Sequence, residues 1–393
     1  LYSWYLRNPE YRSRVQKLVQ SAFAGKPKDI ISQSVAKALY GEVSPYSATR
    51  LERFAACAFA HFLQYGMKLT ERVEYEFKPM DMGNVMHEAL ESFAEEVRKR
   101  GMKWTELTEQ ERNEIADRCL DNIVADYGNT VLKSSARNEY MIERTRRILR
   151  RTVWALQKQL EQGEFQPEGF EVTFGGGRID RVDIMEDQNK VYVKVIDYKT
   201  GNTSFDLVYL YHGLQLQLMI YLDGALRVEQ KKYPDKEIIP AGVFYYNIKD
   251  PMIQEKIDAD VKAVSAGLMK ELKMNGLVQA DPELVYRMDS SLGSIPVAFN
   301  KDGSFRKNSS VADRTQFAVL GRYVRTKIEK IRSSILEGDA EVSPYELGKK
   351  NACTYCPYMT VCGFDRRLSG YEFRRLKNFS DEELWKAFDR EAE

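Results

Sequence analysis

Apolar residues recur at helical spacing through the first part of the chain, then switch to alternating or continuous spacing in its middle, and that change of period sets the architecture. Helical spacing predicts amphipathic segments near 47–66, 83–100, 108–126 and 138–162. Thr108-Glu109-Gln110-Glu111 reads as a capping box that opens the third of them. Strand patterns follow near 169–175, 178–184 and 191–198. Val191-Tyr192-Val193 and Val195-Ile196 make a nearly continuous β-branched run, as expected of a strand buried on both faces. Beyond them the pattern predicts a helix from Tyr209 to Leu226, a strand at 239–246 and a helix near 254–275. Lys301-Asp302-Gly303 is a turn signal between two short strands within 294–305, and an amphipathic helix follows at 314–336. The expected fold class is α/β, a central mixed sheet flanked by helices, with a helical N-terminal extension.

Chemistry enters where charge interrupts the buried strands. Gly177-Arg178-Ile179-Asp180 leads, after a charged turn at Glu186-Asp187-Gln188-Asn189, to Val193-Lys194-Val195-Ile196-Asp197-Tyr198-Lys199. Strand alternation points Asp197 and Lys199 to one face, with Ile196 and Tyr198 on the other, and a hairpin brings Asp180 beside them. Two carboxylates on adjacent strands suit a divalent cation, and a lysine one pleat away suits the handling of an attacking water. Acid and base at a strand end are often only a solvated rim, but charge at the end of a buried strand is costly without a partner or metal. On the helix that follows, Gln217 and Tyr221 are four apart and share a face.

The order of a helical His, a Gly-x-Ile-Asp strand, an Asp-Tyr-Lys strand and a Gln-x-x-x-Tyr helix resembles the RecB-like branch of the PD-(D/E)XK nuclease superfamily. The resemblance implies a restriction-endonuclease-like core. It makes His87, Asp180 and Asp197 the metal ligands, Lys199 the base, and Gln217 and Tyr221 a supporting motif near the DNA. The metal would be Mg²⁺ or Mn²⁺, and an imidazole ligand suits Mn²⁺ at least as well. A lone helical histidine is more often a packing residue, and the resemblance is what lifts His87 above that. Asp183 also lies within hairpin reach of Asp197. Asp180 is preferred because it follows Gly-x-Ile, whereas alternation puts Asp183 on the opposite face, where a salt bridge is the simpler role. Glu171, on the preceding strand, is a weaker supporting candidate.

Cys353, Cys356 and Cys362 form a C-x2-C-x5-C cluster, which reads as metal ligation with a fourth ligand from far away. Cys57 is the candidate, while Cys119 sits within a predicted helix where a buried apolar role is expected. From spacing alone, zinc and iron–sulfur both fit four thiolates. One remote cysteine before the core and three clustered after it is similar to the iron staple of the AddB family of helicase-nuclease subunits, which implies a 4Fe-4S cluster. Ser47 to Phe54, Cys57 to Phe62, Val342-Ser343-Pro344-Tyr345 and Val361 to Asp365 extend the likeness. That family often has proline after the first cysteine, where this chain has Ala58.

The resemblance further implies a deoxyribonuclease that pairs with an AddA-like helicase-nuclease subunit and processes double-strand DNA breaks for homologous recombination. Its substrate would be single-stranded DNA, cut on the 5′-terminated strand. The expected organisation is a helical linker at 1–44, the end of a preceding domain, and a nuclease domain at 45–393 with its core near 83–250. The alternatives are a stand-alone iron–sulfur exonuclease, a non-catalytic DNA-binding or scaffold module, and a zinc-stapled interaction module.

Composition narrows these readings. The 393 residues carry 59 basic and 58 acidic side chains, so DNA binding must rest on local patches or a partner. Candidate patches are Arg144, Arg146, Arg147, Arg150 and Arg151, then Arg322, Arg325, Lys327, Lys330 and Arg332, and around the cysteines Lys349, Lys350, Arg366 and Arg367. Most such runs are only solvated helix faces. There is no G-x-x-x-x-G-K-[ST] phosphate loop, so no motor is read here. With no apolar run long enough for a span and with clustered thiols, the expected compartment is the cytoplasm.

Overall fold

The computed structural model describes residues 2–23, 30–41, 47–70, 79–126, 136–175, 177–253 and 260–392. Helices α1 (Tyr2–Arg7), α2 (Pro9–Phe23) and α3 (Gln33–Tyr40) open the chain. The helix expected over 47–66 is broken in three: α4 (Ala48–Ala56), α5 (Ala58–His61) and a π-helical turn over Phe62–Gly66. Ser47 caps α4 by accepting the Arg50 N–H. The break falls at Cys57, whose extended backbone (φ −166°, ψ 118°) ends one helix and starts the next. Ala58 is therefore a first helical residue, a position that suits either proline or a good helix former such as alanine.

Helices α6 (Pro79–Lys99), α7 (Glu109–Asp126) and α8 (Ala136–Leu160) pack on one another. The capping box before α7 is present: Glu111 N–H donates to Thr108 Oγ1 and Thr108 N–H to Glu111 Oε2. The chain then enters the sheet through β1 (Gln166–Phe174), β2 (Gly177–Asp187) and β3 (Lys190–Lys199), passes through α9 (Leu207–Tyr211) and α10 (Gln217–Lys232), and returns as β4 (Glu237–Asn247). The helix expected from Tyr209 to Leu226 is thus two, because Gly213 adopts a left-handed conformation (φ +77°) that ends the first. Next come α11 (Val261–Glu271), β5 (Asn275–Gln279), α12 (Pro282–Met288), β6 (Val311–Ala312) and α13 (Arg314–Glu337). The expectation of a helix over 254–275 is shortened: 254–259 lie outside the described residues, and Asn275 already begins β5. Around the 301–303 turn, a single bridge between Phe299 and Phe305 replaces the expected pair of strands.

The strands form a six-stranded sheet in the order β1-β2-β3-β4-β5-β6. The β1/β2, β2/β3 and β4/β5 pairs are antiparallel, and β3/β4 and β5/β6 are parallel. A second, three-stranded sheet joins β7 (Tyr345–Leu347), β8 (Lys350–Asn351) and β9 (Arg374–Arg375), with α14 (Met359–Cys362) before β9 and α15 (Asp381–Ala392) after it.

The large sheet separates two apolar layers. Tyr192, Ile196, Tyr198, Phe244 and Tyr246 face α6, α7, α8 and α12, whereas Val191, Val193, Val195, Val243 and Tyr245 face α4, α10, α13 and α15. Each such fully buried side chain contributes about 1.5–3 kcal/mol. On β3 the odd-numbered positions therefore look toward α10, and Asp197 and Lys199 continue that row to the strand end.

Candidate active site

Register places three carboxylates in line across three strands. Phe170 pairs with Arg181 and Val172 with Ile179, which sets Glu171 opposite Asp180; Arg181 pairs with Ile196, which sets Asp180 opposite Asp197. Asp180 is tied down by the Tyr198 N–H, which donates to its Oδ2 at 2.7 Å. Glu171 has a left-handed backbone (φ +48°), unusual for a residue other than glycine, and its carboxylate pairs with Arg178. From α6, His87 Nδ1 approaches Asp180 Oδ2 at 3.4 Å and Glu171 Oε1 at 3.8 Å. His87, Glu171 and Asp180 offer ligand atoms within 4.8 Å of one another, the one group of three or more such side chains that closes so tightly among the described residues.

The electrostatics ask for positive charge at this point. Burial works against an imidazolium at His87, yet hydrogen bonding and charge from Asp180 and Glu171 push its pKa up to about 10. Asp197 is 1% exposed. Burial, and then the neighbouring Asp180 charge, push its carboxyl up to about 7 against the opposing pull of Lys199. A histidine held protonated against burial by two carboxylates reports local negative charge, the setting that favours a divalent cation. The donor set, carboxylate oxygens with one imidazole, suits Mg²⁺ or Mn²⁺.

Lys199 occupies the other side of Asp197. Its Nζ lies 2.6 Å from Asp197 Oδ2 and donates to Gln217 Oε1 at 2.8 Å, 5.5 Å from the Tyr245 ring centre. Gln217 Nε2 donates in turn to Tyr221 Oη at 2.8 Å. The structure therefore brings His87, Asp180, Asp197, Lys199, Gln217 and Tyr221 into one connected cluster. It sets Glu171 beside His87 and Asp180, a larger part than the sequence suggested, and adds Glu52, which the sequence reading passed over. Glu52 Oε1 accepts the Leu216 and Gln217 N–H groups at 2.7 and 3.0 Å, and burial pushes its carboxyl up to about 7. No local signal marks Glu52, because its partners lie 164 and 165 residues further along the chain.

Asp183 lies on the opposite face of β2. It is fully buried and clamped by Arg181 Nε at 2.6 Å and Lys194 Nζ at 3.0 Å, which hold its carboxyl low against the cost of burial. Arg181 lies over the rings of Trp104 and Phe170. This triad ties β2 to β3 on the face away from Lys199.

The cysteines meet at the other end of α4. Cys57, Cys353, Cys356 and Cys362 line one small pocket with Phe59, Pro344, Tyr358 and Phe364, and none is in a disulfide. Burial and then the other three thiols push Cys353 up to about 12. Cys119 is buried in the helical layer, as expected of an apolar role.

Four of the α8 arginines are engaged in ion pairs: Arg146 with Asp117, Asp121 and Glu143, Arg147 and Arg151 with Asp250, and Arg150 with Asp117. On α13, Arg325 pairs with Asp223, Lys330 with Glu391 and Arg332 with Glu329, while Lys327 lies over the Tyr211 and Tyr323 rings. Beside the cysteines, Arg367 pairs with Asp365, Lys350 lies over Tyr209 and Arg366 over Phe373. Surface pairs of this kind are weak.

A mixed sheet whose central strands end in aligned carboxylates and a lysine, flanked by helices that add His and Gln, is the architecture of a metal-dependent nuclease. The chain belongs to the PD-(D/E)XK nuclease superfamily, whose pattern it matches over residues 45–363. It is similar to the AddB component of the ATP-dependent helicase/deoxyribonuclease of Lachnoclostridium phytofermentans, 42% identical over 97% of this chain and 35% of that protein. Proteins of the same description from Thermoanaerobacter sp. (strain X514) and Alkaliphilus metalliredigens are each 34% identical over 100% of this chain and 36% of their own length. The chain thus spans little more than a third of these relatives. No helix among the described residues is long and apolar enough to cross a membrane.

Proposed function

We propose that this chain is the DNA-cleaving region of an AddB-type protein, a Mg²⁺- or Mn²⁺-dependent deoxyribonuclease that acts on single-stranded DNA at double-strand breaks for homologous recombination. The observation that carries the reading is the line Glu171, Asp180, Asp197 with Lys199 held beside it. The relatives are named as one component of an ATP-dependent helicase/deoxyribonuclease, which supports an AddA-like partner that supplies unwound strands. Family likeness supports cutting of the 5′-terminated strand, and clustered thiols as metal ligands suit a cytoplasmic, reducing compartment.

His87, Asp180 and Asp197 would hold the cation by family likeness; Glu171, which lies with His87 and Asp180 in one close group, would share it. A cation bound there supplies Lewis acidity at the scissile phosphate and a more acidic water. Lys199, positioned by Asp197 and Gln217, can orient the attacking water or meet charge developing on the phosphate. Tyr221 holds the Gln217 amide so that its oxygen faces Lys199.

Cys57, Cys353, Cys356 and Cys362 would hold a 4Fe-4S cluster, joining the end of α4 to the C-terminal segment. Four thiolates suit a single zinc as well, and the family likeness is what favours the cluster. Thiols whose burial and mutual proximity raise their pKa are also thiols that a metal must stabilise as thiolates.

The deciding experiment is cleavage of labelled single-stranded DNA by anaerobically purified protein with Mg²⁺ or Mn²⁺, beside Lys199→Ala. Loss in the variant supports the reading. Equal activity in both places the site elsewhere, and no activity in either removes the claim of cleavage without the partner.

A further inference from the structure

Helix α10 begins at Gln217 without a side-chain cap of its own, since Leu216, at its N-cap, provides none. The missing acceptor comes from α4: Glu52 Oε1 takes the backbone N–H groups of both Leu216 and Gln217. A carboxylate in that position satisfies two of the four donors that a helix start leaves unpaired and sits at the positive end of the helix. The residue whose backbone it fixes is the same Gln217 whose side chain accepts from Lys199 and donates to Tyr221. Glu52 is itself held from both sides. Leu51, Phe54 and Ala55 anchor α4 in the core, and Arg374 donates to the Ala55 carbonyl.

We propose that Glu52 is a positioning residue for phosphodiester cleavage: by fixing the start of α10 it sets where Gln217 presents its amide oxygen, and through Gln217 where Lys199 stands beside Asp197. The inference rests on the nuclease reading above. A side chain at a helix start that loses its backbone anchor shifts by fractions of an ångström to an ångström, and displacements of that size lower rates by up to ~100-fold.

The test is a double-mutant cycle in the intact protein, with Glu52→Ala, Gln217→Ala and the pair, read by single-turnover cleavage of a labelled single-stranded oligonucleotide at saturating Mg²⁺. Glu52→Ala should lower the cleavage constant ~10–100-fold while leaving oligonucleotide affinity in place. Glu52→Gln, whose amide oxygen can accept from the same two N–H groups, should recover most of the loss. In the Gln217→Ala background, Glu52→Ala should add less than about a further twofold, because the two act in series. If Glu52→Ala does not fold, Glu52→Asp keeps the charge but shortens the reach, and should show the same coupling to Gln217. Losses that multiply independently, a defect confined to DNA affinity, or an unchanged rate would each overturn the proposal. Lys199→Ala run in parallel separates the two readings. A wild type that cleaves and needs Lys199 but not Glu52 sinks this inference alone, whereas a wild type that never cleaves sinks both.

Discussion

Lys199 and Gln217 meet through a 2.8 Å hydrogen bond from ammonium to amide oxygen, which joins the last residue of β3 to the first residue of α10. The bond leaves Lys199 with two acceptors, Asp197 and Gln217, and so with one orientation. Replacing Lys199 with alanine should lower single-stranded DNA cleavage ~100-fold or more and leave DNA affinity largely intact, because what is lost is a charge aimed at the reacting phosphate. Quench-flow cleavage alongside anisotropy binding would show the split.

Asp180 and Asp183 should separate cleanly on substitution. Asp180→Asn is expected to abolish cation-dependent cleavage in a protein that still folds. Asp183→Asn strips the shared partner from Arg181 and Lys194, both buried, and should cost about 3–5 kcal/mol of stability. Urea unfolding of the two variants distinguishes them, and an unfolded Asp180 variant beside a stable Asp183 variant would reverse the assignment.

The Asp197 carboxyl, raised from 3.8 to about 7, makes the folded protein bind more protons than the unfolded chain between those values. Its contribution to stability is therefore greatest at the acid end and falls as pH rises through that window. Without divalent cation, wild type should lose stability relative to Asp197→Asn on going from acid to neutral pH. Mn²⁺ should shrink that difference. The same proton competes with the cation, so Mn²⁺ affinity should weaken as pH drops below about 7, which isothermal titration at several pH values would reveal.

Removal of one clustered thiol should be felt at a distance in sequence. Cys356→Ser is expected to lose iron and the broad visible absorption of anaerobic protein, and to open both 48–66 and 340–376 to protease. Retention of a colourless, zinc-containing protein with unchanged digestion would point to the alternative metal.

Much of this site can be read along the chain because strand alternation is local. Asp197 and Lys199 share a face by parity, the short hairpin sets Asp180 beside them, and the same parity along β2 sends Asp183 to the far side, where the structure has it. Two helix breaks were not legible, for opposite reasons. Apolar spacing runs unbroken through Cys57, whose extended backbone interrupts the helix without a change of pattern, while at Gly213 one left-handed residue outweighs the periodicity on either side. Glu171 was undervalued because its backbone conformation departs from that of a strand, and Glu52 escaped notice because its partners are remote. Its worth lies in tertiary geometry, which no window of sequence contains.

The break at Cys57 carries a consequence for how the protein is made. Chains grow from the N-terminus and tend to fold in that order, yet α4 and α5 rest on surfaces supplied by α10, α13 and the residues after 342. On the ribosome these early helices leave the exit tunnel with Leu51, Phe54 and a bare thiol exposed, and they must wait through synthesis of the whole sheet before Cys353, Cys356 and Cys362 arrive. The earliest part of the nuclease to be translated is among the last to be secured, and a chain released before β7 would leave Cys57 without its companions.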